Sequence, residues 1–70
     1  QVAAAATAYA RAIEIDSTYA RAYYNIALLH EEQQAKEVAA VNYRAFLRHW
    51  RGAAEFSAQA QERLQRLVED

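Results

Sequence analysis

Apolar residues recur along this chain with the three-and-four spacing of a helix face, and polar clusters interrupt the pattern. In the first stretch Val2, Ala5, Ala6, Tyr9, Ala12 and Ile13 share one face. It ends at Asp16-Ser17-Thr18, short polar side chains that compete for backbone hydrogen bonds and favour turns. Ser17 or Thr18 is expected to cap a second helix, in which Tyr19, Tyr23, Ile26 and Ala27 keep the same period. Beyond the polar block Glu31-Glu32-Gln33-Gln34, a third stripe runs through Val38, Ala39, Tyr43, Phe46, Leu47 and Trp50. Gly52 suits the left-handed position that closes many helices. A fourth stripe, between Ala53 and Val68, carries Phe56, Ala60, Leu64 and Leu67, with Glu62 and Arg66 spaced as an i,i+4 ion pair.

The segment around Gln34 admits two readings. Nothing from Glu31 to Glu37 breaks a helix, so propensity alone permits one rod from Tyr19 to Trp50, roughly 48 Å long at about 1.5 Å per residue. A single rod cannot cover its own stripes, which favours a hairpin. The rod survives only if two chains pair.

Composition narrows the class. Pro is absent and glycine occurs once, whereas a β-rich fold needs many turn residues, so the chain is all-α. Alanine supplies nearly half of the 54% hydrophobic residues, leaving few large side chains for a core. Seventy residues bury a modest fraction of their surface, and without cysteine no disulfide or thiolate zinc site reinforces them. A formal charge of −1 gives no bulk attraction to nucleic acid or anionic lipid. No apolar run reaches the roughly 20 residues of a membrane span. The first residues lack a signal-like charged region and an initiator Met, so an excised segment of a longer protein is expected. Cysteine fixes no redox compartment; the missing signal leans toward the cytoplasm.

Laying the chain on itself at an offset of 34 pairs Ala5 with Ala39, Ala6 with Ala40, Tyr9 with Tyr43 and Ile13 with Leu47. Tyr23, Ile26, Ala27 and His30 stand at the spacing W-x2-L-G-x2-Y, and Ala39 with Tyr43 fills A-x3-F. With these residues the chain resembles the tetratricopeptide repeat, a 34-residue helix–turn–helix unit. Pro, which normally ends a unit, is replaced by Ser17 and Arg51, and Gln34 stands where the paired helices usually meet at Gly. The resemblance implies an α-solenoid of stacked antiparallel hairpins with about four helices. Residues 1–16 would be the second helix of a truncated preceding unit, 17–51 one complete unit, and 52–70 a C-terminal capping helix.

Candidate chemistry is sparse. His30-Glu31 begins like the zinc motif H-E-x-x-H, but Gln34 occupies the second His position, so no metal site is assigned. His49 reads as an edge residue. No glycine-rich turn exposes a nucleophile, and Glu31 and Glu32 point about 100° apart on a helix; neither catalytic residue nor cofactor is expected. Arg44, Arg48 and Arg51 form a basic stripe that reads first as a solvated face. The resemblance points elsewhere, because first helices of successive repeats line a concave groove that holds peptides or partner helices. The matching positions are Arg21, Tyr24, Asn25, Leu28, Glu31 and Glu32, of which Arg21, Asn25, Leu28 and Glu32 step by 4, 3 and 4. Some members clamp a C-terminal carboxylate with Lys and Asn. Here Tyr24 and Leu28 replace the Lys and the second Asn, so no clamp is expected. The expected activity is a non-enzymatic scaffold for a protein or peptide partner, without nucleic acid or membrane insertion. The alternative is a homodimer through helix pairing between chains.

Overall fold

A computed structural model describes residues 2–69 and, among them, every side chain except those at positions 2, 3, 5 and 6. Val2, Ala5 and Ala6 of the first stripe therefore lie, as side chains, outside the described residues. Four helices follow one another: α1 (Val2–Ile15), α2 (Ala20–Glu32), α3 (Lys36–His49) and α4 (Ala54–Val68). Each packs on the next in sequence, giving the antiparallel helical hairpins expected of an all-α, tetratricopeptide-like stack. The longest dimension is 30 Å, well short of the roughly 48 Å that an unbroken helix from Tyr19 to Trp50 would need. The rod is excluded.

The reversal sits at Gln34. Its φ of 62° is left-handed, the conformation in which a side chain crowds the backbone and glycine is preferred. Two hydrogen bonds lock it there: the Ala35 N–H donates to the His30 carbonyl at 2.9 Å, and the Gln34 N–H donates to that of Glu31 at 3.0 Å. This is the paired pattern of a Schellman motif, which satisfies carbonyls left open at a helix end. Gln34 thus takes up the turn without the usual glycine.

The other two connections depart from expectation. Neither Ser17 nor Thr18 caps α2; the N-cap is Tyr19, which makes no side-chain capping bond. Thr18 is engaged by Asp16 instead, donating to one carboxylate oxygen from its hydroxyl at 2.6 Å and from its backbone N–H at 3.0 Å. A charged acceptor two residues upstream outcompetes a helix terminus for that hydroxyl. The same bonds, the hydroxyl first, hold the Asp16 carboxyl below its usual range. Tyr23 pins the loop by donating to the Ser17 carbonyl at 2.8 Å.

After α3 the chain turns without a left-handed residue, so Gly52 does not fill the expected role. Trp50 itself leaves the helix in an extended conformation, with φ −73° and ψ 129°. Its indole folds over Gly52 and donates to the Ala53 carbonyl at 2.9 Å. A β-carbon at position 52 would come within 2.8 Å of the indole Cε2 and Cη2. Gly52 is therefore needed for space.

Small residues set the distance between helices. Ala27, Ala39 and Ala60 are fully buried, one from each of α2, α3 and α4, beside Tyr43 and Phe46. Close backbone approach at the alanines leaves gaps that aromatic rings fill. Tyr24 meets Tyr43 and Phe46 edge-on at 5.6 and 5.0 Å, Phe46 stacks on Trp50 at 5.2 Å, and Trp50 meets Phe56 at 5.7 Å. Each such ring pair contributes about 0.5–1.5 kcal/mol beyond area burial. Tyr9, the offset partner of the buried Tyr43, is only half-buried in α1. Of the expected stripes, Tyr19, Val38 and Phe56 are exposed. Glu62 and Arg66 do pair, at 3.7 Å.

Replacing Gln34 with Gly should remove a left-handed penalty of about 1 kcal/mol while adding comparable freedom to the unfolded chain. Thermal melts should show Gln34→Gly unchanged or up to about 1 kcal/mol more stable, and a clear loss would contradict this turn.

Candidate functional site

Arg21, Tyr24, Asn25, Leu28, Glu31 and Glu32 all face concavities bordered by α2 and α4. Arg21, Tyr24 and Asn25 line one hollow of about 250 Å³. Its other walls are Phe46 and Trp50, from the second half of α3 and its C-cap, and Phe56 with Gln59 from α4. Leu28, Glu31 and Glu32 line a second, more open hollow together with Arg63. One helix thus carries the six predicted positions, and α4 supplies Phe56, Gln59 and Arg63, spaced three and four apart on a single face.

The two turns make this possible. Reversal at Gln34 and again after Trp50 brings residues of α4 to the same hollows as residues of α2. Helix faces that are 35 residues apart in sequence then border the same two hollows. The apolar stripe of α4 counts Phe56 toward the core and leaves Gln59 and Arg63 outside it, so the α4 contribution is not read from the sequence. The i,i+3,i+7 pattern of Phe56, Gln59 and Arg63 was the available signal.

Glu31 holds the second hollow together. One of its carboxylate oxygens accepts a 2.6 Å hydrogen bond from the Tyr43 hydroxyl and a 3.4 Å contact from the Arg63 guanidinium. This single oxygen links α2, α3 and α4. The Tyr43 ring is fully buried. Burial, with the Glu31 carboxylate second, pushes the phenol far above its usual range. Glu31 is consequently half-buried and occupied, whereas Arg21 and Glu32 are exposed and make no hydrogen bond or ion pair among the described residues.

The remaining candidates are dispersed. His49 stacks on Tyr23 with ring centroids 5.6 Å apart, and His30 is half-buried in α2. Among the described residues no three His, Cys, Asp or Glu side chains gather as metal ligands do. Arg44 and Arg48 are exposed on α3, but the helix ends at His49, which removes Arg51 from the expected stripe. Arg51 bends back to donate to the Arg48 and Trp50 carbonyls at 3.1 and 3.2 Å. Among the described residues no helix is long and apolar enough to cross a membrane.

Folded Tyr43 keeps its proton at pH values where unfolded tyrosine, with a pKa of about 10, releases it. Its contribution is therefore complete below pH ~10 and declines as pH rises beyond it. Urea titrations should show that decline, and Tyr43→Phe should flatten it while costing about 1–3 kcal/mol at neutral pH. An unchanged alkaline decline in Tyr43→Phe would assign it to other groups.

Residues 1–34 match the family model described as TPR repeat, a span that holds α1, α2 and the turn as far as Gln34. No curated protein and no solved structure matches the chain.

Proposed function

This is a chain that contains tetratricopeptide repeat sequence, of a kind that generally mediates contact between proteins, and from that premise we propose a non-enzymatic scaffold that holds an extended peptide or a partner subunit in the α2–α4 groove. In this reading residues 1–16 end one repeat unit, 17–51 form a complete unit, and 52–70 close the array as a cap. The observation that carries it is the facing of Arg21, Tyr24, Asn25, Leu28 and Glu32 on α2 by Phe56, Gln59 and Arg63 on α4.

The mechanism is presentation. Interlocked rings beneath the groove and the Glu31 junction at its far end hold the contact side chains in place, which reduces the ordering cost of binding. Tyr24 and Leu28 offer apolar surface to a side chain of the guest, while Arg21, Asn25 and Glu32 offer polar contacts. No step of this mechanism breaks or makes a covalent bond, and its partner is protein, neither nucleic acid nor membrane.

A second reading rests on a different surface. Val41 and Val68 are 60% and 55% exposed and border one hollow between α3 and α4, with Val38 exposed nearby. Such a face favours stacking of two copies of the chain. Inter-chain pairing through a continuous rod is no longer part of that reading, given the break at Gln34.

Peptides selected from a displayed random library distinguish these surfaces. Leu28→Ala, which removes no ring of the core, should weaken the selected peptides about tenfold, because central apolar anchors dominate binding, and should leave helicity intact; Tyr24→Ala should add a loss of stability through its contacts with Tyr43 and Phe46. Dependence on Arg44, Arg48 and Arg51 instead would refute the groove. Light scattering across concentrations should report a monomer; a stable dimer would favour the second reading.

A further inference from the structure

The groove is electrically polarised along its length. Arg21 lies one residue into α2 and Glu32 is its last residue, so eleven steps, about 16 Å, separate two charges of opposite sign on nearly the same face, neither with an ion-pair partner among the described residues. The charges between them are already spent: Glu31 and Arg63 neutralise each other at 3.4 Å, and Asn25 and Gln59 carry none. Apolar surface fills the interval, with Tyr24, Trp50 and Phe56 around the hollow beside Arg21, and Leu28 further along.

We infer that the occupant of this groove is an extended segment bearing one acidic and one basic residue four positions apart, with an apolar side chain midway between them on the same face. The inference rests on the groove reading above and adds the chemistry of the guest. An extended strand advances about 3.3 Å per residue with side chains alternating between its two faces, so a four-step spacing, about 13 Å, keeps acid, apolar side chain and base on one face, and the long Arg21 side chain closes the remaining few ångströms. The acid would sit at Arg21, the apolar side chain in the aromatic hollow two residues later, and the base at Glu32. An acid at both ends would meet Glu32 with like charge, and a base at both ends would meet Arg21. Because opposite charges mark the two ends, they also fix which way the guest lies.

The chain's one tryptophan, Trp50, lines the hollow and reports its occupancy by fluorescence. The probes are three acetylated, amidated peptides: Gly-Asp-Ala-Leu-Ala-Lys-Gly, its analogue with Asp at both charged positions, and its analogue with Lys at both. The mixed peptide should bind about three- to tenfold more tightly than either analogue at low salt, as expected for two exposed charge contacts, and the gap should shrink at high salt. Arg21→Glu should transfer the preference to the doubly basic peptide, and Glu32→Lys should transfer it to the doubly acidic one. Circular dichroism checks that both variants remain folded. Equal binding of all three peptides, with no re-ranking in the variants, would overturn the charge order while leaving the groove in place. No binding of any peptide by fluorescence or calorimetry would remove the groove itself and this inference with it.

Discussion

Gln34 carries the constraint on which the rest of the molecule depends, a left-handed backbone at a residue with a full side chain. Two hydrogen bonds across the end of α2 stabilise that conformation, and the chain doubles back within a few residues. Antiparallel packing of α2 on α3 follows, and with it the meeting of Tyr24 with Tyr43 and Phe46. Without that reversal, Tyr43 and Glu31 would lie twelve residues apart on one rod, about 18 Å along its axis, and the 2.6 Å hydrogen bond between them would not form.

Packing and the proposed groove draw on the same residues in turn. Alanines at the closest approaches let helices come together, and rings occupy the space left between them. Those rings continue through Phe46, Trp50 and Phe56 to the wall of the groove, so its floor is an extension of the core. Glu31 serves both purposes. It closes the structure by accepting from Tyr43, and it holds Arg63 at the groove's edge.

Helix number and the faces of α2 and α3 were legible because apolar spacing of three and four is hard to produce otherwise, and Ala27, Ala39, Tyr43 and Phe46 are buried as that spacing implies. The hairpin was legible only indirectly. Glutamine has no marked preference for left-handed backbone, so the reversal followed from the need to cover the stripes. Local hydrogen bonding was harder to read: Thr18 bonds Asp16 and leaves the N-cap to Tyr19, a competition between two equally local partners. Gly52 was misread because its role is set by where the Trp50 ring lands, a tertiary fact. The α4 wall of the groove was hidden for the same reason. Phe56 and Arg63 acquire their place from two chain reversals, and no pattern within α4 specifies what stands opposite.

The reversal can be measured directly as a distance. The chain has no cysteine, so cysteines placed at the exposed positions Arg21 and Arg48 carry spin labels without background. Tyr23 and His49, close to those positions, stack at 5.6 Å, so an antiparallel hairpin brings the labels within about 25 Å of each other even with their flexible linkers. A helix continuing through Gln34 would hold them about 40 Å apart. A short distance is expected from pulsed electron-electron resonance; a distribution centred near the long one would contradict the fold and every function assigned to its groove.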